Sequence, residues 1–158
     1  MDFVEAQPED APTLAALISA FYAEEPDLQL FRPEESLRRA TEIISLSNKL
    51  VFPLLIRKGS VVIGHVLLVP YYSNEFGGLL VMLDEFFVLA EHRHHGVGGE
   101  ALEKLKCWAQ EHGYNGMTLE VTNQNPRAKM LYERHGFSVP AREIMYWFPD
   151  GAEWRRLM

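Results

Sequence analysis

The stretch Glu91-His92-Arg93-His94-His95-Gly96-Val97-Gly98-Gly99-Glu100-Ala101-Leu102 joins a strand-like apolar run, residues 79–88, to an amphipathic helical pattern. Its glycines allow successive backbone N–H groups to converge where the helix dipole is positive. Gly96 and Gly98 carry no Cβ, so a pyrophosphate can approach the backbone closely, and Arg93 adds a permanent cation. The stretch predicts a phosphate-binding turn, although a plain turn in which glycine only supplies a positive φ would also fit.

Length, charge and cysteine usage limit the classes of protein that fit. A chain of 158 residues suits a single domain over 1–158. The net charge of −7 argues against non-specific nucleic-acid binding. A lone cysteine, Cys107, excludes an internal disulfide and a multi-cysteine zinc site. No signal peptide and no apolar run near the roughly 20 residues of a membrane span is present, so we expect a cytoplasmic protein without a membrane partner.

The apolar periodicity predicts the element order β, α, α, β, β, β, α, β, α, β, β, which indicates a mixed sheet in an α/β (α+β) fold. The predicted strands are 3–7, 50–58, 61–72, 79–89, 117–121, 137–139 and 143–148. The first helix ends near Glu24, the second opens at Pro33, the third follows the glycine turn, and the fourth begins at Pro126. Gly64 marks a possible bulge in the third strand.

A dinucleotide-binding site is an alternative interpretation of the glycine turn. The segment Gly96-Val97-Gly98-Gly99-Glu100-Ala101 fits the pattern G-x-G-x-x-G/A, and Glu120 lies about 20 residues further on. Three features disfavour it. The first glycine does not follow its strand at once, the preceding strands look antiparallel, and the remaining chain is too short for a doubly wound fold.

Two segments resemble a known family. Arg93-His94-His95-Gly96-Val97-Gly98 matches the Q/R-x-x-G-x-G/A signature of the GCN5-related N-acetyltransferases (GNAT), and Leu83-Asp84-Glu85-Phe86-Phe87-Val88 looks like that family's fourth strand. The latter is particularly similar to the diamine (spermidine/spermine) acetyltransferase branch. Downstream, Asn125-Pro126-Arg127-Ala128 and Met130-Leu131-Tyr132-Glu133-Arg134-His135-Gly136-Phe137 resemble the family's N-x-x-A and Y-x-x-x-G-F segments.

The resemblance implies an acyltransferase, specifically an N-acetyltransferase that uses acetyl-CoA as co-substrate and transfers the acetyl group directly to a primary amine. It implies an acyl-CoA N-acyltransferase fold, whose central, mostly antiparallel mixed sheet is flanked by about four helices and splayed between strands 4 and 5. A small-molecule amine or polyamine is the expected acceptor, and a homodimer is the expected assembly. A protein or peptide amine as acceptor, and a catalytically weak acyl-CoA-binding or regulatory module, remain alternatives.

The resemblance also assigns the cofactor-binding residues. Main-chain groups of Phe86, Phe87 and Val88 would pair with the pantetheine arm. The residues expected to wrap the pyrophosphate or flank the cofactor are Arg93, His94, His95, Gly96, Val97, Gly98, Gly99, Asn125, Arg127, Ala128 and Tyr132. Family members often carry glycine where His94 stands, so we expect an altered rim at that position.

Three residues are candidates for proton transfer. The resemblance places the Tyr132 hydroxyl near the CoA sulfur, where it could protonate the leaving thiolate, although a core tyrosine is an alternative. Asp84 and Glu85 interrupt an apolar strand, where an unpaired carboxylate is costly. A carboxylate can take the proton that an alkylammonium must lose before it attacks a thioester. Because adjacent strand residues point to opposite faces, only one of the two is expected to act as the base, and the diamine branch favours Asp84.

Other polar residues carry weaker expectations. Glu24 and Glu25 lie where family members form an acceptor-site wall, although a solvated helix end fits equally well. His92, His94 and His95 do not have a zinc-binding spacing, and we expect no metal site. No side chain is arranged as an obvious nucleophile.

Overall fold

One five-stranded sheet organises the part of the chain that this computed structural model describes, residues 1–24, 32–94, 96–141 and 144–145. The strand order is β1-β2-β3-β4-β5. The strands are β1 (Asp2–Glu5), β2 (Phe52–Lys58), β3 (Val61–Ser73), β4 (Gly78–Val88) and β5 (Gly116–Leu119). The helices are α1 (Ala11–Glu24), α2 (Ser36–Ser45), α3 (Val97–Glu111) and α4 (Pro126–Arg134). The predicted fold class, a mixed sheet with four helices, is confirmed.

The pairing of β4 opens the sheet at one end. Strands β1 to β4 pair antiparallel, whereas β4 and β5 are parallel and joined by α3. Their ladder ends at Leu83 and Leu119, but β4 continues to Val88. The last residues of β4 therefore expose a backbone edge towards β5 within the described chain. The antiparallel strands before the glycine turn also rule out the parallel opening that a dinucleotide-binding fold requires.

Two apolar layers hold the sheet between helices. The layer on the α3 side is formed by buried residues that include Leu54, Ile56, Ile63, Val66, Leu68, Val81, Leu83, Leu102 and Leu105. The layer on the α1 and α2 side includes Leu14, Leu17, Ile18, Ala40, Leu55 and Phe87. A Cβ at Gly64 would lie 2.0 Å from the Phe87 carbonyl oxygen, so this glycine allows β3 and β4 to approach closely. The β-bulge predicted at Gly64 lies next to this residue, because the register between β2 and β3 shifts between Ile56 and Arg57.

The predicted strand 137–139 is wrong. Residues 137–140 follow α4 as irregular backbone. The amide of Phe137 donates to the carbonyl of Tyr132 at 3.1 Å and closes the end of α4, and the two rings pack at 5.8 Å. Local closure of the helix thus replaces strand pairing for this apolar triplet. Of the predicted strand 143–148, residues 144 and 145 are described and are not in a strand, and the others lie outside the described residues.

Membrane insertion finds no support among the described helices. The longest of them, α3, has 15 residues and is amphipathic, with buried residues on one face only. None of the helices in the described ranges is long and apolar enough to cross a bilayer.

Candidate functional site

Two cavities adjoin at the open edge of β4. The larger has a volume of about 490 Å³ and the smaller about 380 Å³. They share lining residues from α1, β4 and α4, namely Phe21, Phe86, Asn125, Ala128 and Tyr132. A molecule in the larger cavity can therefore reach the smaller one past Phe86 and Tyr132.

The larger cavity gathers the residues that the sequence assigned to the cofactor. It is lined by Phe86, Phe87, Val88, Arg93, His94, Gly96, Val97, Gly98, Gly99, Asn125, Arg127, Ala128 and Tyr132. His95 lies outside the described residues. Four lining residues were not predicted: Phe21, Leu131, Arg134 and His135. The last three lie in or next to α4, the helix that also carries Tyr132. The amphipathic pattern of this helix was the sequence feature that could have indicated which of its residues face the cavity.

The glycine turn owes its shape to two left-handed residues. Gly96 has φ 80° and precedes α3 as its N-cap, and His94 has φ 75°. A left-handed conformation is unfavourable for a residue with a side chain, so His94 stands where glycine would be less strained. The amide of Glu100 donates to the Gly96 carbonyl at 2.9 Å and starts the helix. The turn thus directs the N-terminus of α3 at the larger cavity.

Gly98 and Gly99 have a packing role as well. A Cβ on Gly98 would lie 3.1 Å from Leu131 Cδ2, and a Cβ on Gly99 would lie 2.7 Å from His135 Nε2. The missing side chains let α3 approach α4 across the cavity. Only part of the glycine pattern therefore reflects access of a phosphate to the backbone.

Arg93 is held by three contacts. Its Nε donates to the Val88 carbonyl at 2.6 Å, its Nη1 pairs with Glu24 Oε2 at 2.6 Å, and its guanidinium lies 5.2 Å from the centre of the Phe87 ring. These contacts tie the glycine turn to β4 and to the end of α1. Glu24, expected in the acceptor wall, instead lines the larger cavity. Glu25 lies outside the described residues.

The opposite side of the larger cavity is formed by α4. The Asn125 side chain accepts a hydrogen bond from the Ala128 amide at 3.0 Å and caps this helix. Arg127 Nη2 lies 3.3 Å from His94 Nδ1, so the two segments meet across the mouth. The larger cavity has a mainly basic lining, formed by Arg93, His94, Arg127, Arg134 and His135. Glu24 is the acidic residue of this described lining.

The smaller cavity has the opposite electrostatic character. It is lined by Phe21, Tyr22, Met82, Leu83, Asp84, Phe86, Glu120, Val121, Thr122, Asn125, Ala128 and Tyr132. Two carboxylates, Asp84 and Glu120, are therefore present, with no lysine, arginine or histidine in this described lining. Four aromatic rings complete the wall. Such a site suits a cation, which carboxylates and aromatic faces both attract.

Asp84 occupies a β-bulge in β4. Leu67 pairs with Glu85 and Leu68 pairs with Leu83, so Asp84 is the extra residue. The bulge reverses the alternation of β4. Residue 83 packs in the layer next to α3, whereas residues 85 and 87 lie on the α1 side.

The prediction that Asp84 and Glu85 point to opposite faces assumed simple alternation, which does not hold across a bulge. The negative charges of Asp84 and Glu85 both contribute to raising the pKa of Tyr22 in α1, and the charge of Glu85 contributes to raising the pKa of Asp84. Asp84 is accessible from the smaller cavity. Loss of solvent around its carboxyl group raises the pKa of Asp84 to about 6, and the charges of Glu85 and Glu120 contribute to the rise.

Glu85 is buried in a hydrogen-bonded network and lines neither cavity. It is 5% exposed, and its Oε1 accepts from the Tyr22 hydroxyl at 2.9 Å. Its Oε2 lies 2.8 Å from Nε2 of His65, which is 1% exposed. Burial and the negative charge of Glu85 raise the pKa of Tyr22 strongly. Tyr22 and His65 were missed in the sequence, although His65 interrupts the apolar strand β3 just as the acidic pair interrupts β4.

The single cysteine lies apart from the lining of both cavities, and the possible metal ligands of the described residues are not grouped to hold an ion. Cys107 is exposed on α3 and lines neither of them. Within the described ranges, no group of three or more His, Cys, Asp or Glu side chains is arranged to hold a metal ion.

Comparison with protein families decides the classification of this fold and site. The model of the acetyltransferase (GNAT) family matches residues 14–137, which include both cavities. The chain belongs to the GNAT family. It is accordingly an N-acetyltransferase, and the resemblance noted in the glycine turn and the Asn125 segment is confirmed at the level of the family.

Similar proteins are found among curated sequences and among solved structures. The uncharacterized N-acetyltransferase YhfO of Bacillus subtilis (strain 168) is 29% identical over 149 residues, covering 92% of this chain and 95% of YhfO. An integron cassette protein from the mobile metagenome of Cole Harbour Salt Marsh superposes with a TM-score of 0.75 at 26% identity, covering 92% of this chain and 89% of the other. The aminoglycoside N-acetyltransferase AAC(6')-Iy, solved with CoA, has a TM-score of 0.72 at 19% identity, with 93% of both chains covered.

Proposed function

We propose that this GNAT enzyme transfers the acetyl group of acetyl-CoA to a cationic primary amine, with acetyl-CoA in the larger cavity and the amine in the smaller one. The observation that carries the proposal is the meeting of a basic and an acidic cavity at Phe86 and Tyr132. A reaction between an anionic donor and a cationic acceptor needs such a pair of sites side by side.

The donor assignment rests on the chemistry of the larger cavity. A glycine turn at the N-terminus of α3, with Arg127 and Arg134 opposite, suits a pyrophosphate. The open edge of β4 offers backbone groups to a pantetheine arm, except that the Val88 carbonyl already accepts from Arg93. AAC(6')-Iy, which shares the fold, was solved with CoA, and this supports the same donor here.

The acceptor assignment rests on the smaller cavity. An amine with an unperturbed pKa near roughly 10.4 enters as an ammonium ion. Asp84 and Glu120 attract it, and the rings of Phe21, Tyr22 and Phe86 provide apolar and cation–π surface. Because two carboxylates are present, a diamine or polyamine is the acceptor that we propose within this class. The relatives are diverse N-acetyltransferases, so this choice rests on the cavity and on the similarity of residues 83–88 to the diamine branch.

The proposed mechanism is direct transfer. Asp84 takes a proton from the ammonium ion, and the free amine attacks the thioester carbonyl carbon. The carbon–sulfur bond breaks as the amide forms, and the Tyr132 hydroxyl donates a proton to the departing thiolate. The nitrogen loses its second proton as it becomes an amide, and this proton returns through solvent to the Tyr132 oxygen. Backbone N–H groups at the edge of β4 polarise the thioester carbonyl, and the two cavities hold the reactants in position.

A single domain over residues 1–158 and a homodimer are further proposals, and light scattering tests the second.

A thiol-release assay tests the proposed function. Acetyl-CoA is offered with a panel of polyamines, monoamines, amino acids, aminoglycosides and peptides, and CoA affinity is measured in parallel. We expect CoA binding and thiol release with the polyamines above all. CoA binding without turnover of any acceptor would favour a binding or regulatory module. Turnover of neutral or anionic acceptors alone would contradict the acceptor assignment, and turnover of peptides alone would identify a protein acetyltransferase.

A further inference from the structure

The polar network behind the smaller cavity joins three elements. Tyr22 from α1 and His65 from β3 both contact the carboxylate of Glu85 in β4, at 2.9 and 2.8 Å. Glu85 and His65 are buried, and Asp84 of the bulge is next to Glu85 in the chain. Moving a charged group from water into the protein interior costs free energy. A buried polar network of this kind therefore serves either the stability of the fold or the function of the adjacent site.

The hydrogen bonds define which group carries the charge. His65 Nδ1 is buried and has no hydrogen-bond partner among the described residues. A second N–H on this ring would leave a buried donor unsatisfied, which is costly. The arrangement therefore favours a neutral His65 whose Nε2–H donates to Glu85. Glu85 then accepts from both His65 and the Tyr22 hydroxyl and remains an anion.

We propose that Tyr22 and His65 are positioning residues that hold Glu85 as a buried anion behind Asp84, so that Glu85 does not act as the base and the neighbouring Asp84 does. This inference rests on the proposed function in assigning the base role to Asp84. The β-bulge matters to it, because Glu85 contacts Tyr22 of α1 and His65 of β3 while the adjacent Asp84 lines the smaller cavity. Glu85 supplies a fixed negative charge, and of these two neighbouring carboxylates only Asp84 lines the smaller cavity.

The charges around Asp84 agree with this division of roles. The titratable groups around Asp84 are Glu85 of β4, Tyr22 of α1, Glu120 after β5 and Tyr132 of α4. Two more groups act on these neighbours: Arg39 of α2 acts on Tyr22, and His65 of β3 contacts Glu85. After burial, Glu85 is the larger of the two charges that raise the pKa of Asp84, and Glu120 is the smaller. A base whose pKa lies nearer to neutrality accepts a proton more effectively.

Carboxyl ¹³C NMR titration tests the inference without any acceptor. The Asp84 resonance is assigned by its loss in Asp84→Asn, and its midpoint is compared in the wild type, Glu85→Gln and Glu120→Gln. We expect Glu85→Gln to lower the midpoint by roughly half a pH unit or more, and Glu120→Gln to lower it less. An unchanged midpoint in Glu85→Gln, or a larger effect of Glu120→Gln, would overturn the proposal. Failure of the acetylation assay would not affect this result.

A pair of His65 variants provides a second test and decides the matter if Glu85→Gln does not fold. His65→Gln can still donate to Glu85, whereas His65→Leu cannot, so the charge on Glu85 loses one of its two hydrogen bonds in the leucine variant. We expect the Asp84 midpoint to fall in His65→Leu and to stay near the wild-type value in His65→Gln. Equal midpoints in the two variants would assign His65 to packing alone. In the wild type, ¹⁵N NMR should show Nε2–H and an unprotonated Nδ1, and a doubly protonated ring at neutral pH would contradict the proposal.

Discussion

The two cavities share a wall but are built in different ways. The larger one is formed mainly by two contiguous segments, 86–99 and 125–135, and it uses a glycine turn, backbone groups and basic side chains. The smaller one takes its side chains from α1, β4, the segment after β5 and α4, and its charged members are acidic. The comparison shows that the larger cavity is encoded locally in the chain, whereas the smaller one depends on how distant elements meet.

The largest expected effect concerns Tyr132, one of the residues that line both cavities. Tyr132→Phe removes the proposed donor of a proton to the CoA thiolate but little volume. We expect the kcat to fall by about 10²- to 10⁴-fold, with CoA affinity nearly unchanged. Steady-state kinetics and calorimetric CoA binding measure the two quantities.

The matched control is Tyr114→Phe. The Tyr114 ring stacks on Trp108 at 5.8 Å and lines neither cavity. We expect this variant to keep the wild-type kcat. A wild-type kcat in Tyr132→Phe as well would return Tyr132 to the role of a core residue packed on Phe137.

The second prediction concerns the larger cavity alone. Gly96→Leu places a side chain in the glycine turn, where φ is 80°, and should block the approach of a pyrophosphate. We expect the Kd for acetyl-CoA to rise at least about tenfold, which corresponds to about 1.4 kcal/mol.

Gly113→Leu is the matched control for backbone strain. Gly113 has φ 76° beyond the far end of α3 and is remote from both cavities. This variant should lose stability in the same way but keep its affinity for acetyl-CoA. If the two variants weaken binding equally, the glycine turn is not the cofactor site.

The third prediction concerns the stability cost of the smaller cavity. The pKa of Asp84 is raised to about 6 in the fold, so its ionised form is disfavoured there. Wild-type stability should therefore fall as the pH rises from 4 through 6, and Asp84→Asn should remove this loss. Because Asp84 is accessible, solvent screening reduces the effect, and we expect the variant to gain about 1 kcal/mol at pH 8.

Urea unfolding at pH 4 and pH 8 measures this difference. The gain should disappear at pH 4, where the Asp84 carboxyl group is largely protonated in the folded protein. Asp2→Asn, at the exposed start of β1, is the control and should show no comparable gain. A destabilised Asp84→Asn at pH 8 would mean that the Asp84 charge stabilises the fold.

The smallest effect is expected at His94. Its φ of 75° is unfavourable for a residue with a side chain, so His94→Gly should relieve strain. The greater freedom of glycine in the unfolded chain offsets part of the gain, and the contact with Arg127 Nη2 is lost. We expect a net stabilisation of about 0.5 kcal/mol, measured by the midpoint of thermal unfolding. Destabilisation would show that the histidine contact outweighs the backbone strain.

The sequence predicted the larger cavity well because its parts are local. A glycine turn, a helix start at Pro126 and an Asn125 cap each leave a pattern within a few residues. The described residues from that prediction all line one cavity. Their binding of acetyl-CoA remains a proposal that the Gly96 variant tests.

The smaller cavity could be predicted only in part. The acidic pair stood out from its apolar strand, but the bulge at Asp84 leaves no signal in residue type, and it interrupts the alternation on which the expected facing of the pair rested. The partners of Glu85 lie 63 and 20 residues away in the chain. Contacts of this kind follow from the packing of α1 and β3 against β4, which periodicity alone does not specify.

The pH dependence of kcat/KM for the best amine acceptor, in the wild type and in Asp84→Asn, tests the central claim most directly. The claim is that Asp84 in the acidic cavity removes the proton from a cationic amine. We expect the wild-type value to rise between about pH 6 and 9, with a step near the pKa of Asp84 at about 6 followed by the ionisation of the amine. Asp84→Asn should be about 10²- to 10⁴-fold slower and should lose the lower step while keeping the upper rise. A variant with the wild-type rate and profile would contradict the account.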